Sequence, residues 1–409
     1  MNILIEMDLA GSKYHGMAFR CYQFAVEFLK RGHHVMIVAA SYSHVRFKNP
    51  SVNNELTNEV IDDIIYKWIK TPRYKGNGLK RVFHMLVYNF KLFLYSKNIS
   101  NEFNPNIVIS SGVTPFEIFG CRKIAKRSRA KLIYEVGDLW PLTPKELGGF
   151  SKWHPFIMAM QYAENFAYKN CDATVSLLPC AEKYMSQHGL AKGKFHCIPN
   201  GIVIDDWKDN PELPEAHITL FRKLRDERKV IIGYAGAHGI ANSLYSAIDA
   251  IAGLEKNNCS LVMVGNGPEK EKLIEYVKSK KYNNIHFLPP VNKPVIPTLL
   301  QNMDILYIGL QRQSLFRFGI SPNKLFDYMM AAKPVVQAID AGNNIVKNAQ
   351  CGFYAEPDNI DDIRSAILKL VEMRPEERNK LGENGKSYVL QNHTYDILAD
   401  NYLEIMKSI

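Results

Sequence analysis

Short apolar runs alternate with stretches of helical periodicity along the whole chain, and this alternation constrains the fold more than any other feature. Runs such as Asn2–Met7 and His34–Ala40 have strand length, whereas Met17–Leu29 repeats apolar residues at helical spacing. Strands separated by helices form parallel sheets, because a parallel connection needs a long crossover. With 409 residues, the chain also exceeds what one hydrophobic core usually serves. We therefore predict an α/β protein with two doubly wound parallel sheets.

Turn-forming residues in Ile198–Asp206 separate two periodic halves and mark the predicted domain boundary. We expect a first domain over residues 1–205, a second over residues 206–390, and a C-terminal helix over residues 391–409 that packs back on the first domain. The predicted strands are Asn2–Met7, His34–Ala40, Ile107–Ser110, Leu132–Glu135, Ala173–Ser176, Val230–Ala235, Leu261–Val264, Ile285–Leu288, Ile305–Leu310 and Pro334–Gln337. Open parallel sheets bind ligands beyond the carboxyl ends of their strands, so the loops there are the candidate site.

The net charge of +10 implies anionic partners without choosing among nucleic acid, phospholipid and sugar nucleotide. One segment carries eight basic and no acidic residues: Lys67, Lys70, Arg73, Lys75, Lys80, Arg81, Lys91 and Lys97. Interleaved aromatic and leucine residues predict that residues 67–97 face an anionic membrane surface. A buried helix with solvated cations is the alternative. Nucleic-acid binding is disfavoured, because no recognised nucleic-acid module accompanies the charge.

Targeting and metal signals are missing from the sequence. There is no secretory signal and no run of about 18 apolar residues, and the seven cysteines lie far apart without a CxxC pair. These features predict a cytoplasmic protein with reduced thiols. The sequence has no D-x-D arrangement of carboxylates, no HExxH motif and no Cys/His cluster, so we predict neither a metal nor a cofactor.

Glycine-rich loops follow several predicted strands. Gly11–Gly16 lies in the first domain, and Gly236–Gly239 and Gly265–Pro268 lie in the second. Glycine lets the backbone approach a ligand, and the helix that follows offers free N–H groups to a phosphate. The first loop lacks the G-x-G-x-x-G spacing and the acidic residue of a nicotinamide dinucleotide site. Plain turns are the alternative for each loop, but two such loops in one domain favour a phosphate site there.

The segment Phe318–Met330 has the clearest ligand-binding pattern. Ser321 is predicted to cap a helix whose first residue is Pro322, which leaves the amides of the helix N-terminus available to a pyrophosphate. Lys324 adds a cation one turn into the helix, and Asp327 can accept two hydrogen bonds from a ribose diol. An ordinary capped surface helix is the alternative.

Several motifs resemble known glycosyltransferases. PNG at Pro199–Gly201, GNGPE at Gly265–Glu269 and SPNKLFDYMMAAKPVV at Ser321–Val336 resemble the donor-binding signatures of glycosyltransferase family 4. YHGMAFR at Tyr14–Arg20 and YEVGDLWPLTPKELGG at Tyr134–Gly149 resemble its bacterial O-antigen and capsule branch, which includes the UDP-N-acetyl-L-fucosamine transferases. The resemblance implies a GT-B fold of two Rossmann-like domains facing across a cleft, retention of anomeric configuration, nucleotide-diphosphate sugar donors and no catalytic metal.

Carried over by position, the resemblance assigns roles to individual residues. The implied donor-binding residues are Gly16, Gly236, His238, Gly267, Val291, Gly319, Ile320, Ser321, Asn323, Lys324 and Asp327. Lys324 would hold diphosphate and donor sugar with the amides of residues 319–321, Asp327 the ribose, and the backbone near Val291 the base. Gly16 would let the first-domain loop close over the phosphates. The implied catalytic residues are Lys324 and Asp138; Asp138 could position the acceptor hydroxyl, although capping a turn before Pro141 is the alternative.

Three positions depart from the family pattern. Gly319 stands where the family has the first glutamate of a pair, His238 replaces a basic residue, and Gly137 replaces a histidine before Asp138. We predict a retaining transferase that moves a sugar from a UDP-sugar, an N-acetylated amino sugar, to a lipid-linked glycan in surface polysaccharide synthesis. It would work on the inner face of the cell membrane. Because Gly137 and Gly319 lack side chains, a catalytically weak sugar-nucleotide-binding partner subunit is the alternative.

Overall fold

A computed structural model describes residues 1–16, 20–76, 78–209 and 211–409. The chain divides into two compact units, the first made of Met1–Asn200 and Tyr395–Ile409 and the second of Gly201–Thr394. The divisions lie near the predicted boundaries at residues 205 and 391. Residues 17–19, which begin the predicted helix Met17–Leu29 and belong to the YHGMAFR motif, lie outside the described residues.

In the described part of the first unit, eight strands form one sheet in the order β3-β4-β2-β1-β5-β6-β7-β8. The strands are β1 Asn2–Glu6, β2 His34–Ala40, β3 Leu56–Ile61, β4 Ile64–Ile69, β5 Ile107–Ser110, β6 Lys131–Val136, β7 Ala173–Ser176 and β8 Phe195–Cys197. Neighbours pair in parallel except β3 and β4, which form an antiparallel hairpin. The strand order reverses at β1, so the ligand-binding switch point of this sheet lies beyond the carboxyl end of β1.

The second unit contains a six-stranded parallel sheet in the order β11-β10-β9-β12-β13-β14. Its strands are β9 Val230–Ala235, β10 Cys259–Val264, β11 Ile285–Leu288, β12 Ile305–Gly309, β13 Val335–Ala338 and β14 Gly352–Tyr354. Alternate residues of β9 enter different hydrophobic clusters: Ile231 and Ala235 pack on one face, and Ile232 and Tyr234 on the other. Both faces of the sheet are therefore covered, as parallel sheets require, and its switch point lies beyond β9 and β12.

Helices cover both sheets. They are α1 Arg20–Lys30, α2 Leu79–Leu94, α3 Ser96–Phe103, α4 Glu117–Ser128, α5 Leu142–Glu146, α6 Pro155–Asn170, α7 Glu182–Gln187, α8 Glu215–Asp226, α9 Leu244–Ala252, α10 Lys270–Lys280, α11 Ile296–Gln301, α12 Asn323–Met330, α13 Ile345–Asn348, α14 Ile360–Glu372, α15 Pro375–Asn392 and α16 Tyr395–Ser408. In the first unit, α4 packs against α2, α3 and α6, and α1 packs against α16. In the part of the chain that the structure describes, no helix is long and apolar enough to cross a membrane.

The structure corrects part of the predicted basic segment 67–97. Lys67 and Trp68 are buried in β4 and so cannot face a membrane; Lys67 forms an ion pair with Glu102 of α3. Neither β3 nor β4 was predicted from the sequence. Asp62 and Asp63 form the two-residue turn of this hairpin with φ angles of 48° and 62°. Positive φ at both positions is what a tight hairpin turn requires.

Candidate functional site

Two glycine loops pack against each other beyond β9 and β10 in the second unit. A Cβ atom at Gly265 would overlap the carbonyl oxygen of Gly236, and one at Gly267 would overlap the backbone of His238. The amide of His238 also donates to the carbonyl oxygen of Asn266 at 2.9 Å. The loops can approach this closely only because glycine occupies these positions. The structure thus brings the predicted residues Gly236, His238 and Gly267 together.

Helix α12 places Lys324 beside the loop that contains Gly236. Its ammonium donates to the hydroxyl of Tyr234 at 2.8 Å, lies 4.1 Å from the centre of that ring, and leaves no room for a side chain at Gly236. Burial lowers the pKa of Lys324 to about 8, and the ammonium forms no ion pair with a described residue. Buried cations normally have a charged partner. A cation held without one against two glycine loops is suited to a diphosphate.

His238 is fully buried, and neither of its ring nitrogens has a hydrogen-bond partner among the described residues. Burial, together with the neighbouring charges of Lys270 and Lys324, lowers the pKa of the imidazole to about 4. The ring is therefore neutral at physiological pH, with one donor and one acceptor. Buried polar atoms without partners are rare in folded proteins. They make His238 a candidate ligand contact at the glycine loops.

Asp327 lies one turn after Lys324 on α12, and its side chain is partly exposed. Burial raises the pKa of its carboxyl to about 6; Lys293 lowers this pKa and Asp206 raises it. Lys293 and Asp206 themselves form an ion pair at 2.9 Å. At neutral pH the carboxylate of Asp327 is mostly ionised, and it can accept two hydroxyl hydrogen bonds.

The start of α12 differs from its prediction. The helix begins at Asn323, and Pro322, predicted as its first residue, is instead the N-cap with an extended conformation (φ −78°, ψ 122°). Ser321 was predicted as the N-cap, but it lies one residue before that position, and Pro322 has no side-chain group that could cap the helix. The first turn of the helix nevertheless contains Lys324, whose cation adds to the positive end of the helix dipole.

The amides before α12 are partly used within the chain. The amide of Gly319 donates to the carbonyl oxygen of Phe316, and that of Ile320 donates to Oδ1 of Asn343, both at 2.8 Å. These two amides could bind a diphosphate only by exchanging those bonds. Gly319 has φ 96° and ψ 171°, a conformation that essentially only glycine adopts. The local backbone therefore explains why no glutamate stands at this position.

Val291 follows β11, two strand positions away from β9 along the same edge of the sheet. It packs against the hydrophobic core of the second unit. Two residues earlier, the carbonyl oxygen of Pro289 accepts a hydrogen bond from Nε2 of His217 at 3.0 Å. The loop predicted to receive the base is thus anchored to α8.

In the first unit, the loop Gly11–Gly16 is held by its own contacts. Gly16 has φ 73°, and a Cβ there would overlap the ring of Phe47. His15 is buried, its Nδ1 lies 2.9 Å from Oγ of Ser12, and its carbonyl oxygen accepts a bond from the amide of Phe47 at 3.0 Å. Glycine at position 16 is therefore required by the turn itself, and its predicted role at the phosphates stays a prediction.

The two predicted catalytic residues belong to different units. Lys324 lies in the second unit, whereas Asp138 lies in the bend after β6 in the first and is exposed. Gly137, beside it, has open space where a side chain would begin. A histidine would fit there, so backbone geometry does not explain its absence.

Sequence reasoning missed a group of buried carboxyls beyond β1. Glu6, Asp8 and Glu117 are all nearly inaccessible to solvent. Burial raises the pKa of Glu6 well above its ordinary value, that of Asp8 to about 6, and that of Glu117 to about 8. Tyr88 donates to Glu6 at 2.9 Å, and Thr114 donates to Glu117 at 2.7 Å. Two acidic residues interrupting the apolar run at residues 2–10 were the available signal. Among the described residues, no three potential ligands are arranged to hold a metal ion.

Two family models match different parts of the chain. Residues 14–206 match the family model Glycosyltransferase Family 4, and residues 218–388 match Glycosyl transferases group 1. TuaH of Bacillus subtilis, a predicted glycosyltransferase of teichuronic acid biosynthesis, is 22% identical over 261 residues, which cover 61% of this chain and 61% of TuaH. WcaI of Escherichia coli, a predicted colanic acid biosynthesis glycosyl transferase, is 21% identical over 303 residues, covering 71% and 73%.

The chain thus spans less than two thirds of the length of TuaH. The solved structure of Anabaena HepE in complex with UDP and glucose is similar in fold. The structural alignment covers 99% of each chain, with a TM-score of 0.66 and 15% sequence identity. This likeness and the two doubly wound sheets confirm the predicted GT-B fold class. The predicted cleft and the closer resemblance to the O-antigen branch stay predictions.

Proposed function

We propose that this chain, in which a glycosyltransferase family 4 domain precedes a glycosyl transferases group 1 domain, transfers a sugar from a UDP-sugar to a glycan acceptor. The observation that carries the proposal is Lys324, a half-buried cation without a carboxylate partner among the described residues, held against two glycine loops at a sheet switch point. Such a place binds diphosphates in open parallel sheets.

Each step of donor binding has a residue of the second unit to perform it. Lys324 and the first turn of α12 neutralise the diphosphate, which is also the leaving group, so the same cation stabilises the charge that develops during transfer. Asp327 accepts the two ribose hydroxyls. His238 offers a neutral hydrogen-bond group at the glycine loops. The complex of HepE with UDP and glucose supports UDP as the nucleotide, since this chain shares the fold of HepE.

The acceptor and the place of action follow from the relatives. TuaH and WcaI are assigned to the synthesis of teichuronic and colanic acids, both surface polysaccharides. We propose that the acceptor is a lipid-linked glycan, that the donor sugar is an N-acetylated amino sugar transferred with retention, and that Asp138 positions the acceptor hydroxyl. A lipid-linked acceptor stays in the bilayer, so the enzyme would work on the inner face of the cell membrane without a metal ion.

A screen of UDP-sugars against isolated lipid-linked glycans, read by mass spectrometry, tests this function. We expect one donor to be consumed with transfer to the acceptor, and we expect the reaction to persist in EDTA. Calorimetry with UDP gives the second readout. Asp327→Ala removes two ribose hydrogen bonds and should weaken UDP binding by about 2–4 kcal/mol, whereas Asp226→Ala, on the exposed surface of α8, should leave it unchanged.

The outcomes distinguish the proposed enzyme from its alternative. UDP binding without transfer of any tested sugar would favour a catalytically weak binding subunit, which the missing side chains at Gly137 and Gly319 would explain. Unchanged UDP affinity in a folded Asp327→Ala variant would contradict the assignment of the ribose contact. Loss of transfer in EDTA, restored by Mg²⁺ or Mn²⁺, would contradict the metal-free mechanism.

A further inference from the structure

Helix α2 presents one apolar face to solvent. Its exposed side chains are Leu79, Phe83, Leu86, Phe90, Phe93 and Leu94, and their spacing of three and four residues places them along one side of the helix. Phe83 and Phe90 are 60% and 67% exposed. The opposite side of α2, with Tyr88 and Leu92, is buried against the first unit. A row of large apolar side chains in water marks an interaction surface rather than scattered exposure.

This apolar face continues across α4 toward α6. The ammonium of Lys123 on α4 lies 3.7 Å from the centre of the Phe93 ring, and Phe119 of α4 stacks on Tyr162 of α6. At that side, Trp153, Met158 and Tyr162 are 71%, 50% and 66% exposed. We call the exposed apolar side chains of α2, together with these three residues, the interfacial surface. Aromatic residues with polar tips, such as Trp153 and Tyr162, are typical of the boundary between lipid and water.

Among the described residues, the helices α2, α4 and α6 carry exposed cations and no exposed acidic side chain of their own. Helix α4 carries Arg122, Lys123, Lys126 and Arg127, and α2 has no acidic residue. The acidic residues of α4 and α6, Glu117 and Glu164, are buried. Cations attract anionic lipid headgroups at about 1 kcal/mol each near the surface. In a symmetric dimer, the cations of α4 would face the same cations of the second copy and repel them. The charge pattern therefore favours a bilayer as the partner.

We propose that the interfacial surface inserts its apolar side chains into an anionic lipid bilayer, with the cations of α4 at the headgroups. The inference rests on the proposed function for its purpose, because an enzyme acting on a lipid-linked acceptor must reach the membrane. The surface keeps the part of the predicted segment 67–97 that forms α2 and adds residues of α4 and α6, whereas Lys67 and Trp68 of the buried strand β4 do not belong to it.

Flotation of the full-length protein with phosphatidylglycerol-containing vesicles tests the insertion. The wild type should float with these vesicles at low salt and separate from them as salt rises, because exposed charges are screened. Phe83→Ser with Phe90→Ser should weaken vesicle binding about tenfold or more, since each phenylalanine loses its burial in the interface. Val60→Ser is the matched control, because Val60 is equally exposed in the same unit but lies on β3.

The headgroup contacts have a separate test. Lys126→Gln with Arg127→Gln should weaken vesicle binding roughly fivefold per cation at low salt. Lys256→Gln with Lys278→Gln removes two exposed cations of the second unit and should have no effect. Vesicles of pure phosphatidylcholine should bind the wild type more weakly than anionic vesicles do.

Three results would overturn the proposal: no binding of the wild type to anionic vesicles at low salt, equal loss in Val60→Ser, or a stable dimer that Phe83→Ser with Phe90→Ser dissociates. The last would assign the surface to a second copy of the chain. UDP affinity separates this inference from the proposed function. The Phe83/Phe90 variant should bind UDP like the wild type, and Asp327→Ala should bind vesicles like the wild type.

Discussion

Lys324 links the chemistry of the donor site to pH more directly than any other predicted contact. Its pKa is lowered to about 8 because burial disfavours its charge, and the carboxyl of Asp327 has its pKa raised to about 6 for the same reason. Between these two values, the site holds both the cation for the diphosphate and the anion for the ribose.

We therefore predict that UDP affinity is highest between about pH 6 and 8 and falls above pH 8, where the amine loses its proton. At pH 9 the wild type should bind UDP about tenfold more weakly than at pH 7, because only about a tenth of an amine with that pKa is charged. Lys324→Arg keeps its charge throughout this range and should show no such fall. Calorimetry measures the UDP affinity of the wild type and of Lys324→Arg from pH 7 to 9. If both affinities fall equally with pH, Lys324 does not bind the diphosphate.

Single residues show how far sequence reasoning reaches. Gly236, Gly265 and Gly267 were predicted to let the backbone approach a ligand, with plain turns as the alternative. The structure packs these loops against each other, and their role at a ligand stays a prediction. The burial of His238 without hydrogen-bond partners among the described residues could not be predicted from the sequence. This burial arises where the loops after the paired strands β9 and β10 meet, and no local sequence pattern encodes it.

At the scale of elements, strands buried on both faces were predicted best. The bounds of β2 and β9 agree with the structure to the residue, because a continuous apolar run between turns has few interpretations. The hairpin of β3 and β4 was missed. Lys67 was assigned to a basic segment that faces a membrane. Its ammonium instead pairs inside the fold with Glu102 of α3. A contact at such a distance along the chain leaves no trace in local periodicity.

Helix α16 is attached to the first unit by aromatic and charged contacts. Tyr402 packs edge-on against Phe24 and Phe28 of α1, and its hydroxyl donates to Glu135 at 3.1 Å. Glu135 also accepts a bond from Arg20 at 3.2 Å. The last helix of the chain thus completes the core of the unit with which the chain begins.

We predict that Tyr402→Phe lowers the free energy of unfolding of the first unit by about 1–3 kcal/mol, because a buried carboxylate loses a hydrogen bond. Tyr162→Phe alters an exposed tyrosine of the same unit and should change stability little. Urea denaturation measures both variants. UDP affinity should stay unchanged in both, since His238, Lys324 and Asp327 belong to the second unit. A change of UDP affinity in Tyr402→Phe would contradict that separation.

On the scale of the whole molecule, the buried carboxyls beyond β1 make stability depend on pH. The folded-state pKa of Glu117 is raised to about 8, above its value in the unfolded chain. Its contribution to stability is therefore fully present below the unfolded pKa and is lost as pH rises through about 8. Glu6 and Asp8 act in the same direction, because burial raises their pKa values too.

We predict that the protein is more stable to urea at pH 5 than at pH 8, and that Glu117→Gln flattens this dependence. Glutamine keeps the shape of the neutral carboxyl but cannot ionise. Glu182→Gln, an exposed substitution on α7, serves as the control and should leave the pH dependence as it is in the wild type. If Glu117→Gln and the wild type lose stability equally between pH 5 and 8, another group is responsible.

The division of the chain has a consequence for the order in which the protein is made. The second unit is inserted between Asn200 and Tyr395, and its two ends meet, since the amide of Ile202 donates to the carbonyl oxygen of His393 at 2.7 Å. Synthesis runs from the N-terminus, so every residue of the second unit leaves the ribosome before α16 does. The donor-binding unit can therefore fold first, although it comes second in sequence. Phe24 and Phe28 of α1 stay without their contacts to Tyr402 until α16 has left the ribosome.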